Sequence, residues 1–270
     1  MPASKGNGSA ADPGGARAAT CGASLLAAVV LASGGWFLAC GPSASEPPPP
    51  PPGAIPPGQS IGSGTIAGRA LFSGTPPPRK PIRMSGEASC HNPDNPALSE
   101  EVIVGPGGGL KNVLVQVVEG LGDRVFAPPA EPAVLDQVGC LFVPHVLAAQ
   151  TNQVLLLKNG DPAAHNVRAD PKSNPGFNVS MAGKGRTVRR YFSNPEIVRI
   201  RCDIHSWMTG YIAVTPHPFH AVTGDDGAFA LRGLPAGTYE IEAWHETRGT
   251  RRLSVTLGEG ESRTIELTFE

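Results

Sequence analysis

From residue 64 onward the chain alternates apolar and polar positions in short runs with a period of two, the spacing of half-buried β-strands. Residues 65–72 make the first run, which stops at Pro76, Pro77 and Pro78. At 112–118, Val113, Val115 and Val117 alternate with Asn112, Leu114 and Gln116, which predicts a strand with the valines inward. Residues 153–158 are almost continuously apolar and run into Asn159-Gly160-Asp161-Pro162, a strong turn signal. At 197–202, Val198, Ile200 and Cys202 share one face and Arg199 and Arg201 the other, so the Cys202 thiol is expected to point inward. Residues 211–215 form the next strand. After Pro216, an Asp225-Asp226-Gly227 turn leads to strands at 228–231, 238–244, 253–257 and 262–269, with Trp244 expected in the core and His245 at the surface. No long amphipathic helix and no fixed-period repeat is present. The fold class is all-β, built of sandwiches.

The first 62 residues have a different texture. Residues 1–40 read as an export signal: Lys5 and Arg17 supply positive charge, residues 23–38 are small and apolar, and Leu38-Ala39-Cys40 closes the run. The run is too short and too rich in Gly, Ala and Ser for a membrane span. Two readings stand: an ordinary signal, cleaved nearby or kept as an anchor, or a lipoprotein signal whose lipobox ends at Cys40, with Phe37 where Leu is more usual. Lipidation at Cys40 would anchor the protein to a membrane without spanning it. Residues 41–62, with Pro47 to Pro52, are a linker, read as an extended spacer or as an unstructured tail. Removing residues 1–39 takes Lys5, Arg17 and Asp12 with it and moves the formal net charge from −1 to −2. A chain without a basic face is not expected to bind nucleic acid.

Composition matters most through its five cysteines. Cys21 leaves with the signal, Cys40 is the lipid candidate, and Cys90 and Cys140 are an even pair in an oxidising compartment. That pair reads as a disulfide, the alternative being two buried thiols. Cys202 remains, in Cys202-Asp-Ile-His205-Ser-Trp-Met208, with His165-Asn166 upstream. One thiolate, two imidazoles and a thioether are the donor set of a mononuclear electron-transfer copper site, acceptable to both Cu(I) and Cu(II). Three of the four sit in one short loop between strands, and Asn166 is placed to hydrogen-bond across that loop. The bland alternative makes Cys202 a core thiol, Met208 filler and His205 a surface residue.

Other candidates are weaker. His145 is either a group near the metal or a satisfied core or edge residue. His217-Pro-Phe-His220 has metal-like spacing, but a connecting loop accounts for it. Trp207 either packs in the loop or forms an apolar patch around the His205 edge, where an electron is expected to leave. No nucleophile elbow, His-Glu-x-x-His pair or phosphate loop occurs. Four protein ligands would leave no position for substrate, so an enzyme is not expected.

Over residues 138–215 the sequence resembles the cupredoxin (type I blue copper) family, its short ligand loop being most similar to that of the amicyanins. The resemblance rests on His165-Asn166, on Cys202-x-x-His205-x-x-Met208, and on Phe142-Val-Pro-His145 leading to Asn159-x-Asp161. It implies a Greek-key sandwich holding one type I copper through His165, Cys202, His205 and Met208, serving a redox partner protein. Residues 222–245, with Asp226-Gly227-Ala-Phe229 and Leu234-Pro-Ala-Gly-Thr-Tyr239, resemble carboxypeptidase-regulatory-like (prealbumin-like) domains, which have no active site. Residues 64–72 also resemble that family's first strand.

The expected organisation is therefore signal 1–40, linker 41–62, N-terminal β segment 63–125, cupredoxin domain 130–216 and prealbumin-like domain 217–270. The cupredoxin is either inserted in one prealbumin-like sandwich or followed by a separate tail domain. The expected function is an exported, membrane-tethered one-electron carrier; the rivals are a copper buffer or delivery protein and a cell-surface binding module.

Overall fold

The structure is a computed structural model that describes residues 46–84, 87–90, 94 and 96–270, all within one compact unit. The signal, Cys21 and the lipid candidate Cys40 lie outside the described residues, as do 41–45 of the linker. Among the described residues no helix is long and apolar enough to cross a membrane. Among the described residues the period-two patterning becomes sixteen strands.

The first two are β1 (Gly64–Phe72) and β2 (Leu114–Glu119). Nine follow: β3 (Ala133–Val138), β4 (Leu141–Val143), β5 (Val146–Gln150), β6 (Leu155–Lys158), β7 (His165–Ala169), β8 (Phe177–Met181), β9 (Thr187–Arg190), β10 (Glu196–Arg201) and β11 (Thr209–Thr215). The last five are β12 (His220–Val222), β13 (Ala228–Leu234), β14 (Gly237–His245), β15 (Gly249–Leu257) and β16 (Ser262–Phe269).

The nine middle strands form two sheets, β5-β11-β10-β7-β8 and β4-β3-β6-β9. Between them lies an apolar cluster that includes Leu135, Phe142, Leu157, Met181, Ile200 and Ile212. We call this the inner sandwich. The flanking strands form β13-β1-β16 and β12-β2-β14-β15, so the chain leaves this outer sandwich after β2 and returns to it at β12. Its separate cluster holds Ile66, Leu110, Val115, Tyr239, Ile241 and Phe269. Strand β1 is held on both edges, antiparallel to β13 and parallel to β16.

Two expectations change. Leu114 is as buried as the valines beside it, so β2 is covered on both faces where it starts. In β14 the burial alternates through Tyr239, Ile241, Ala243 and His245. His245 is therefore the core residue and Trp244 the half-buried one, since side chains in a strand follow the period of two whatever their chemistry.

A disulfide joins Cys90 to Cys140, with Cα atoms 5.5 Å apart, and both cysteines belong to the inner cluster. Closing a loop of 50 residues by this bridge contributes about 3–4 kcal/mol in the chain-entropy account.

Candidate metal centre

Strand β7 starts at His165 and pairs with the end of β10, Arg201 lying opposite Arg168. Strands β10 and β11 are antiparallel neighbours whose ladder closes at Arg201 and Thr209, so residues 202–208 form the connection at the same end of the sheet. Two backbone bonds shape that connection: Cys202 N–H donates to Met208 C=O at 3.1 Å, and Met208 N–H to His205 C=O at 2.9 Å. The alternation of β10 carries through to Cys202, which is buried with Val198 and Ile200.

Three donors converge there. The Nδ1 atoms of His165 and His205 stand 2.9 Å apart, and the Cys202 Sγ is 3.9 Å from His205 Nδ1. All three donor atoms lie within 4.8 Å of one another and all three residues are buried. Ligands at about 2.0–2.3 Å from a shared transition-metal ion stand about 3–4 Å from each other, close to the 2.9 and 3.9 Å found here. Met208 is fully buried in the same cluster as Cys202.

The surrounding groups orient these donors. Asp161 accepts a hydrogen bond from His165 Nε2 at 3.0 Å, which turns Nδ1 toward His205. The same carboxylate accepts the backbone N–H groups of Gly139 and Cys140, each at 2.8 Å. Asn159 Oδ1 in turn accepts the Asp161 N–H at 2.9 Å, while the Asn159 amide donates to the carbonyls of Ala163 and Met181. The Asn166 Oδ1 accepts the Asp203 N–H at 2.7 Å and the Cys202 thiol at 3.2 Å. These bonds join β7 to the start of the 202–208 connection. Gln137 donates to the Asn166 carbonyl at 3.3 Å.

These contacts set the protonation chemistry. Burial opposes charge on His165, but hydrogen bonds to Cys202 and Asp161 outweigh it and raise the imidazole above its ordinary pKa. Burial opposes the Cys202 thiolate too, yet the His165 hydrogen bond and the backbone bonds of Asn166, His205 and Ile204 bring the thiol below its ordinary value. His205 is lowered by burial and by the neighbouring His165. The shifts on Cys202 and His205 run toward the deprotonated forms in which sulfur and nitrogen bind metals, whereas the shift on His165 runs the other way, so this imidazole releases its proton when it ligates.

Other candidates are placed elsewhere. His145 is buried in a hydrogen bond to Glu246 at 2.5 Å. His217 and His220 do not face one ion: His217 Nε2 donates to the Val117 carbonyl and His220 Nδ1 faces the Thr215 hydroxyl. The sequence offers Asn159 and Asp161 as a turn and as part of the cupredoxin resemblance, without a role for either side chain; in the structure Asp161 orients the His165 imidazole. Its spacing four residues before His165 was the available signal. His205 is buried, 4% exposed, so only a small part of its edge faces solvent.

No protein-family model and no curated protein matches the chain. Among solved structures it is similar to a copper-containing nitrite reductase from Thermus scotoductus, at 26% identity and a TM-score of 0.30, over 37% of this chain. The match spans a quarter of that enzyme's chain (25%). A purple cupredoxin from Nitrosopumilus maritimus is similar at 17% identity and a TM-score of 0.28, over 31% of this chain and 99% of that one. A reduced amicyanin variant follows at 17% identity and a TM-score of 0.29, over 33% and 91%.

Proposed function

We propose that this chain binds one copper ion through His165, Cys202, His205 and Met208 and serves as a one-electron carrier. The observation that carries the reading is the buried triangle of two imidazole Nδ1 atoms and a thiol. The donor chemistry favours copper, because thiolate and thioether suit Cu(I) and imidazole suits both states. When bound, copper supplies a one-electron couple with little change of ligands.

The chain's own residues do the rest. Asp161 fixes the tautomer and direction of His165, and Asn166 ties β7 to the ligand loop. Burial of all three donors keeps water out. That burial also favours a carrier over a copper buffer, since handing the ion to another protein needs an open approach. The absence of a substrate position in a four-ligand set supports a non-enzymatic role. The outer sandwich we read as a prealbumin-like packing module split by the inner one.

Copper loading followed by voltammetry tests this. We expect one copper per chain and a reversible one-electron wave, both lost in His165→Ala. Tight Cu(I) binding without a wave would move the assignment to a buffer. Export and a lipid on Cys40 complete the proposal, supported by the pattern of residues 1–40 and by a disulfide suited to an oxidising compartment. Mass spectrometry of the membrane fraction should find Cys40 acylated.

A further inference from the structure

The buried imidazole of His205 has one aromatic neighbour that reaches outward. The Trp207 ring centroid is 5.0 Å from that of His205, with the planes tilted by 35°. Trp207 is half-buried, and its Nε1–H donates to the Cys140 carbonyl at 3.1 Å, which fixes the indole. Cys140 is itself held by the disulfide and by the Asp161 carboxylate. The indole also lines a cavity of about 330 Å³ shared with Glu100, His145, Arg199 and Thr209. The neighbours of His205 in the loop, Ile204 and Ser206, are exposed, and their side chains carry no π system.

We infer that Trp207 is the electron exit: the indole couples His205 to the cavity, and the one-electron acceptor makes its contact there. The inference rests on the copper reading above. One electron leaves the reduced site, copper passing from the +1 to the +2 state, and a one-electron acceptor is reduced by one unit. No covalent bond forms or breaks and no proton moves. The indole is favoured over the exposed Ile204 because electronic coupling falls steeply across saturated groups and gaps, while two rings in contact offer a short path. The Cys140 hydrogen bond makes the path rigid, so its coupling does not depend on a mobile side chain.

The experiment compares the full chain carrying Cys40→Ser with its Trp207→Leu and Trp207→Phe variants. Each is loaded with copper, reduced, and oxidised by ferricyanide or by tris(phenanthroline)cobalt(III). We expect Trp207→Leu to slow oxidation by about tenfold or more at unchanged visible band and potential, and Trp207→Phe to recover most of the rate. In metal-free chain with Trp36→Phe and Trp244→Phe, acrylamide should quench the remaining indole fluorescence, as an accessible Trp207 requires. An intact band with an unchanged or faster rate in Trp207→Leu, or an unquenched indole, would overturn the exit. A parent chain without a thiolate–copper band would overturn the copper reading and the exit with it. Should Trp207→Leu lose the band by misfolding, the rate in Trp207→Phe and the quenching decide.

Discussion

His165 in the inner sandwich and His245 in the outer one are equally buried, each 1% exposed, yet burial has opposite consequences for them. His165 keeps a carboxylate on one nitrogen and faces a second imidazole and a thiol with the other, and its pKa rises. His245 Nδ1 faces the Thr247 backbone N–H and hydroxyl. Its Nε2 is buried without a hydrogen bond, and burial pushes its pKa down to about 4. His217, whose Nε2 donates to the Val117 carbonyl and whose Nδ1 accepts the Phe219 N–H, is likewise pushed down to about 4 by burial. What separates the two histidines here is the partner, not the depth. The outer sandwich uses imidazoles as packing groups; the inner one spends an aspartate to aim its own.

The largest test of that division concerns the disulfide, which lies in the inner cluster alone. Replacing Cys90 and Cys140 together by Ala should cost about 2–5 kcal/mol. Hydrogen exchange should show the loss in β3, β6 and β10, with β1, β13 and β16 keeping their protection. Equal loss in both sandwiches would mean that they unfold as one unit and that the comparison has no energetic content.

Next come the outer histidines. Their folded pKa of about 4 lies below the unfolded value of about 6.5, so the stability tied to their neutral form is complete above 6.5 and is lost as pH falls toward 4. The loss is up to about 3 kcal/mol per group. His217→Gln should remove one share of this acid sensitivity in denaturant titrations. Proton NMR should find both imidazoles neutral at pH 5; titration near 6.5 would break the contrast with His165.

Asp161→Ala removes the group that aims His165, and the affinity for Cu(I) should fall about 10–100-fold in a competition titration. Asp161→Asn, which keeps an acceptor, should lose less. An unchanged affinity would show that Nδ1 is aimed by packing alone.

The smallest effect is expected at the seam between the sandwiches, where His145 from the inner one meets Glu246 from the β14–β15 turn and the Tyr211 ring stacks edge-on against Trp244 at 5.1 Å. Burial opposes charge on His145, but Glu246, Glu100 and the Thr209 backbone outweigh it and raise its pKa. A raised histidine stabilises fully below its unfolded value, about 6.5, and the gain is lost as pH rises through the folded value. The thermal midpoint should therefore fall on the alkaline side, and Glu246→Gln should flatten that dependence. A midpoint independent of pH in the parent chain would remove His145 from the account.

Much of this was legible in the chain because strand period and loop spacing are local. The alternation at 197–202 already turned Cys202 inward, and the spacing of His205 and Met208 from it fits a single tight connection. The same local rule would have buried His245 had its register been weighed above its polarity. The partners that give the site its chemistry were not legible, since they join positions far apart in sequence. Gln137 reaches Asn166 across 29 residues, and His145 reaches Glu246 across 101. Asp161 is only four residues from His165, but its second role, gathering the N–H groups of Gly139 and Cys140, depends on how the β3–β4 turn packs.

The central claim is a bond between the Cys202 sulfur and copper, and the visible spectrum of the Cu(II)-loaded chain tests it most directly. The account predicts an intense thiolate-to-copper band near about 600 nm, bleached by reduction and absent in Cys202→Ser. A colourless Cu(II) complex, or a band that survives Cys202→Ser, would contradict it.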